Sequence, residues 1–313
     1  MYDKGEPDRN ATKSHHTAHS SVNVVMARRG NVSQVLWLAL ITNILVAAAK
    51  TVYGLLTGTL SMIADGIHSF TDAGSSVMGL ISIQYALQPS DDDHHYGHYK
   101  FETLAALGIG GLIALTSWEV FKKAIGRLLY PTSSAFHFSG LWIMLASMAI
   151  NLGLSWYERK KGRQYKSSIL EADAYHTASD FWVSLSVLIS LFATKWNVRW
   201  IDPAVSLLIA IYFAYVAFKL VKETVLVLSD AAYIEVKEIE KLVHSVTGVM
   251  GCHRIRTRGR AGQAFVDLHI QVDPSIDVAT SHAIVHNIEK KIKESIEGVR
   301  DVLIHTEPYP DDD

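Results

Sequence analysis

Two short runs about a hundred residues apart carry the same chemistry. Asp65, His68 and Asp72 sit in S-M-I-A-D-G-I-H-S-F-T-D-A-G, and Asp173, His176 and Asp180 sit in E-A-D-A-Y-H-T-A-S-D-F. Both read Asp-x2-His-x3-Asp. On a helix, positions i, i+3 and i+7 project from one face. Each run lies within an apolar stretch, and an ionisable side chain inside a membrane span is costly and marks a functional site by default. Two helices bearing matched carboxylates and imidazoles can converge on one divalent cation. His68, Asp72, His176 and Asp180 would supply two nitrogens and two oxygens in a tetrahedral shell. Asp65 and Asp173, one turn earlier, would add a fifth ligand, support the others or form a step on the path. The plainer alternative is a set of polar groups that satisfy one another inside a bundle. Six ionisable residues at matched spacing would be a costly way to build one.

Two further groups have ligating side chains. The loop P-S-D-D-D-H-H-Y-G-H-Y-K (89–100) places Asp91, His94 and His98 where Gly97 permits a sharp bend. They can close on a cation, and they read equally well as an ordinary solvated loop. Near the C-terminus His253, His269, His282 and His305 fall on four different elements, with Glu307 close behind and His286 one turn after His282. If those elements adjoin, the histidines form a cluster; otherwise each is a surface residue. The single cysteine, Cys252, reads as incidental and excludes both a disulfide framework within the chain and a Cys-rich zinc site.

The elements that must position these residues follow from the distribution of apolar side chains. Of 313 residues 49% are hydrophobic and 19% charged, below the roughly 25% charged of soluble proteins. The formal net charge of -2 argues against nucleic acid as a partner. Six apolar segments, at about 34–56, 60–87, 102–128, 138–158, 168–194 and 202–228, each approach the ~20 residues that cross a bilayer. Gly58 makes the first two a tight hairpin. Pro89 and Pro131 close segments 2 and 3, and Asp202-Pro203 opens segment 6. Arg28, Arg29, Lys100 and the run Arg159, Lys160, Lys161, Arg163, Lys166 fall on one side of six spans, which places both termini in the cytoplasm. Lys122, Lys123, Arg127, Lys195 and Arg199 lie on the other side and weaken that bias.

Residues 1–32 are rich in Ser, Asn, His and charges and lack a signal peptide's apolar core, so they are expected to be a disordered tail. His15, His16 and His19 could capture metal weakly, though a solvated tail is the simpler reading. Met26 is an alternative start. Residues 33–229 are then a six-helix transmembrane domain and 230–313 a separate one. In the latter, Ile234–Val246 and Asp277–Glu297 read as helices, and His253–Arg258, Ala264–Asp273 and Val299–His305 as strands. Val266, Leu268, Ile270 and Val272 alternate with Asp267, His269 and Gln271, the period of a half-buried strand. The order α-β-β-α-β predicts a small open-sheet α+β domain.

Together the run S-M-I-A-D-G-I-H-S-F-T-D, Y-G-H-Y-K, E-A-D-A-Y-H-T-A-S-D, W-I-D-P, H-R-I-R-T-R and I-H-T-E-P make the chain resemble the cation diffusion facilitators, of the bacterial ferrous-iron/zinc efflux type, over about residues 34–310. The resemblance implies a homodimer of six-helix protomers in a cell membrane, the bacterial inner membrane, exchanging a divalent metal for protons, with a metallochaperone-like cytoplasmic domain. It implies a transport site at His68, Asp72, His176 and Asp180 and a loop site at Asp91, His94 and His98. It further implies a binuclear cytoplasmic site at His253, His269, His282, His305 and Glu307, and a Lys100–Asp230 ion pair at the dimer's membrane boundary. His68 stands where some bacterial members have Asp, Asp65 where they have a small neutral residue, and Glu307 where relatives often have Asp. The His-rich loop that eukaryotic members carry between segments 4 and 5 is replaced by a basic link.

Imidazole suits Zn2+ and other borderline metals, whereas an all-carboxylate site would favour Mn2+. The mixed shell therefore points to Zn2+ first, then Cd2+, Co2+ or Fe2+, exported from the cytoplasm against protons. The alternative is a membrane-bound metal sensor that moves no ion, which would have no use for two matched intramembrane triplets. An enzyme is disfavoured: the chain has no His-Glu-x-x-His run, and a metal fully ligated by protein leaves no position for water.

Overall fold

In a computed structural model the described residues are 9–57, 60–129, 141–195 and 201–310. Within these ranges the side chains of 9–29, 57, 60–65, 67, 68, 71 and several between 186 and 202 lie outside the description. Two compact units, Met1–Thr224 and Val225–Asp313, divide the chain.

The first unit is helical: α1 Arg9–Thr57, α2 Leu60–Ala86, α3 Lys100–Leu129, α4 Leu141–Tyr165, α5 Ser168–Lys195 and α6 Ile201–Leu228. α2 and α3 stop just before Pro89 and Pro131, since a proline disfavours helical geometry in the residue ahead of it. Pro203 falls in the first turn of α6, where its missing N–H costs nothing. The disordered tail expected for residues 1–32 is corrected from Arg9 onward, where the backbone is already helical and continuous with the first span. No proline or glycine lies between Arg9 and Val25, so an established helix can propagate by one hydrogen bond per residue.

Polarity in this unit is inside out. On α1, Val35, Leu36, Ala39 and Ala47 are buried, while Trp37, Ile41, Leu45 and Leu56 face outward, Leu56 with 82% of its surface exposed. Such rows would aggregate in water and are at rest in hydrocarbon. Among the described residues, Gly30–Leu56, Lys100–Leu129 and Pro203–Leu228 are long and apolar enough to span a membrane by composition alone. This gives three such stretches where six were expected. α2 and α5 carry the acidic and imidazole residues, and α4 carries Glu158 and the basic Arg159–Lys161, which dilute their apolar character.

Small residues let the helices meet closely. A Cβ on Gly66 of α2 would lie 2.2 Å from Thr51 Oγ1 and 2.8 Å from Thr51 N on α1. One on Gly162 of α4 would lie 2.9 Å from Glu171 Cγ and 3.1 Å from Glu171 N at the start of α5. Ser155 Oγ donates to Ala174 O at 2.8 Å, fixing α4 against α5 three residues from Glu158.

The second unit contains α7 Val236–His244, β1 Gly251–Arg260, β2 Gln263–Val272, α8 Val278–Ser295 and β3 Val299–Pro308, the expected order. The sheet order is β1-β2-β3, with β1 antiparallel and β3 parallel to β2. Val266, Leu268 and Ile270 of β2 pack with Ile239 and Val243 of α7 and with Ile284, Ile288 and Ile292 of α8. Both helices thus cover one face of the sheet. Alternate residues, including His269, point to the other. Asp277 caps α8, accepting from Thr280 N at 2.7 Å.

Candidate functional site

Helix packing brings α2 and α5 together in the first unit. Asp72 is 6% and His176 3% exposed, and His176 Nε2 lies 3.5 Å from Asp72 Oδ1. Beyond that contact, neither ring nitrogen of His176 has a hydrogen-bond partner among the described residues. Asp173, one turn earlier, is fully buried and satisfied: Ser75 Oγ donates to its Oδ1 at 2.6 Å and Ser76 Oγ to its Oδ2 at 3.1 Å. The two aspartates of this half-site differ in kind, Asp173 tying α5 to α2 and Asp72 facing an imidazole. Asp180, half-buried, lies one turn beyond His176 on α5. The side chains of His68 and Asp65 lie outside the described residues, as do those of His15, His16 and His19. On the α1–α2 seam Lys50, 3% exposed, donates to Ser69 Oγ at 3.1 Å.

The loop between α2 and α3 does close. Asp91 Oδ1 accepts from the backbone N of His94 at 2.7 Å and of Asp93 at 3.1 Å, and Gly97 turns the chain at φ +83°. His98 Nδ1 lies 3.2 Å from Pro89 O. A carbonyl can only accept, so Nδ1 carries a hydrogen, and in the neutral ring Nε2 offers a lone pair. That Nε2 faces Asp91 Oδ2 at 3.3 Å, while His94 Nδ1 lies 3.4 Å from Asp91 Oδ1. Two acceptors at that distance repel unless a cation or proton lies between them. Ligand atoms of Asp91, His94 and His98 fall within 4.8 Å of one another.

In the second unit strand register assembles the cluster. His253 of β1 pairs with His269 of β2, which pairs with His305 of β3. The three imidazoles form a row on the face that α7 and α8 leave open. A bulge after His253, with Arg254 at φ +50°, breaks the β1–β2 ladder there. Glu307 bridges the row: Oε1 is 2.6 Å from His269 Nδ1 and 3.8 Å from His305 Nε2, and Oε2 is 3.0 Å from His253 Nε2. The hydrogen bond from His269, with the charges of His269, His253 and His305, holds the Glu307 carboxyl below its ordinary value. Two imidazole nitrogens and a carboxylate oxygen within 4.8 Å, at His253, His269 and Glu307, fit a borderline divalent cation.

His282 and His286 are not brought to this row. Both are exposed on α8, whose buried side carries Ile284 and Ile288 and packs on the opposite face of the sheet. His286 Nδ1 lies 3.9 Å from Glu289 Oε2 on its own helix. Asp230 Oδ2 lies 3.8 Å from Arg258 Nη1 within its own unit, and Lys100 opens α3 in the other.

Two features went unseen in the sequence. Cys252, set aside as incidental, points to the helix-covered face and joins Glu240 and His244 of α7 in a group whose ligand atoms lie within 4.8 Å, with Sγ 3.5 Å from His244 Nε2. Burial and the charge of Glu240 push its thiol pKa up. The i, i+4 pair Glu240–His244 was the available signal. The other is Glu158 of α4, fully buried. It falls at the last position of the apolar segment 138–158, whereas the helix runs on to Tyr165.

Residues 36–229 match the cation efflux transmembrane domain and residues 231–309 the cytoplasmic domain of cation efflux proteins. The chain therefore belongs to the cation diffusion facilitator family, integral membrane proteins that transport metal cations. It is 32% identical over 288 residues to metal tolerance protein C1 of Arabidopsis thaliana, covering 87% of this chain and 61% of that protein. The chain thus spans less than two thirds of that relative's length. It is 30% identical over 280 residues to an uncharacterized transporter of Methanocaldococcus jannaschii, covering 88% and 98% of the two chains. It is 31% identical over 254 residues to the cation-efflux pump FieF of Escherichia coli, covering 80% and 84%.

Proposed function

We propose that this protein exports Zn2+ from the cytoplasm in exchange for protons. The observation that carries the reading is the buried imidazole of His176, 3.5 Å from the buried carboxylate of Asp72 and with no further hydrogen-bond partner among the described residues. A buried imidazole facing a buried carboxylate inside an apolar bundle suits a transient cation better than a permanent structural role. Asp180 and His68 complete the proposed shell, with Asp173 fixing the α2–α5 geometry.

Mixed nitrogen and oxygen ligands favour Zn2+, with Cd2+, Co2+ and Fe2+ as close competitors. Binding needs neutral imidazole and ionised carboxylate, so metal and protons compete for the same groups. An outer compartment more acidic than the cytoplasm then releases the metal and loads protons, which return as the site reopens inward. Both termini lie in the cytoplasm on this reading, and the protein works as a homodimer in the cell membrane. Lys100 and Asp230 form the ion pair at the dimer's membrane boundary. His253, His269, His305 and Glu307 would hold regulatory Zn2+. Asp91, His94 and His98 form the loop site.

The test is metal flux into proteoliposomes under an imposed pH gradient, comparing Zn2+, Fe2+, Cd2+ and Mn2+, with Asp72→Ala and Asp180→Ala run in parallel. Gradient-driven Zn2+ flux that disappears in both variants supports the antiporter. Binding without flux of any metal would make the protein a sensor.

A further inference from the structure

Glu158 is the one fully buried glutamate at the α4–α5 seam, and neither carboxylate oxygen has a hydrogen-bond partner among the described residues. Its polar neighbour is Thr177 of α5, 1% exposed, whose Oγ1 has no partner elsewhere among the described residues. The charged groups that act on it are Asp173 and Asp180, both negative. Residues 173, 177 and 180 lie at i, i+4 and i+7 along one stripe of α5, so Glu158 lies against the line that runs from the satisfied aspartate to the proposed transport ligands. The basic neighbours on α4 turn away. Arg159 and Lys160 are exposed and stack on Tyr175 and Trp156. An acidic side chain buried beside two more carboxylates, with the Thr177 hydroxyl as its polar neighbour, calls for a positive partner, and none is placed there among the described residues.

We propose that Glu158 is a ligand for the transported cation, forming with the Thr177 hydroxyl a second, all-oxygen subsite on the α4–α5 seam, beside the charge of the serine-bonded Asp173. It lies toward the end where α4 stops and α5 begins, one to two helical turns from Asp180. Oxygen donors alone bind hard and borderline divalent cations less selectively than a site with imidazole. The subsite therefore serves as a landing position, and selection falls to His176 and its partners. The assignment rests on the transport reading for its role, though not for its chemistry.

The experiment is equilibrium dialysis of radiolabelled Zn2+ against the purified full chain in lipid nanodiscs, with proteoliposome flux measured beside it. Glu158→Gln should lose about one bound cation per chain and Asp180→Asn a different one, with the losses adding in the double variant. Glu158→Asp should keep the count with affinity weakened on the order of ten-fold, and Thr177→Val should weaken it less. A Glu158→Gln protein with wild-type count and affinity would overturn the proposal and leave Glu158 as a protonated structural acid. Should Glu158→Gln fail to fold, unaltered affinity in Glu158→Asp and Thr177→Val together would overturn it. Wild-type binding without flux would refute transport while the count still decides the subsite.

Discussion

The two strongest ligand groups are built by opposite means. In the helical unit, Asp72 and His176 come from helices about a hundred residues apart and meet only because α2 and α5 pack, in an interior where neither ring nitrogen of His176 is satisfied. In the sheet unit, His253, His269 and His305 are set side by side by strand register, Glu307 is hydrogen-bonded to His269 and lies within 3.8 Å of the other two, and His305 is 65% exposed. The first arrangement is dry, under-satisfied and dependent on helix position, which suits a cation that must leave. The second is wet, bonded and fixed by a hydrogen-bonded ladder, which suits one that stays. Where a cation must be released, unmet polar demand is kept; where it is to be held, the ligands are tied down beforehand.

Breaking the dry site should have the largest effect. Asp180→Ala or His176→Ala should cut metal flux by about 100-fold or more while leaving the cytoplasmic metal bound, as flux and metal content would show. Next comes the wet site. Glu307→Gln removes the bridging charge and should weaken Zn2+ binding at the sheet by roughly 10- to 100-fold in calorimetry, with residual flux retained. The same variant sharpens the comparison through pH. Because His269 holds the Glu307 carboxyl below its ordinary value, its contribution to stability is complete above that value and fades as pH falls through the depressed one. Acid titration of the metal-free protein should show that loss in wild type and not in Glu307→Gln.

A third substitution tests whether helix position governs the dry site. Gly162→Val would place a side chain where even a Cβ comes within 2.9 Å of Glu171 Cγ. It should push α4 from α5 and lower flux about ten-fold with every metal ligand intact. The smallest effect belongs to Asp277→Ala, which removes the cap of α8. Its melting midpoint should fall by roughly a few degrees with the histidine row undisturbed, because α8 lies on the opposite face. The cap's contribution in wild type should fade at acid pH, since the Thr280 side-chain and backbone hydrogen bonds hold the Asp277 carboxyl low.

By itself the sequence determined most of the helices, the strand order and most of the candidate ligands. Prolines stopped α2 and α3, alternation marked β2, and the repeated Asp-x2-His-x3-Asp singled out Asp72, His176 and Asp180, because these signals are local and periodic. It could not rank residues of the same type. That Asp173 is satisfied by Ser75 and Ser76 whereas Asp72 faces His176 depends on which helix lies opposite, and so does the isolation of Glu158. Four histidines on four elements were legible as candidates, yet only the sheet register and the placement of α8 on the other face separated His282 from the row of His253, His269 and His305. Residue type sets what a side chain can bind; packing decides which partners are left for it to bind.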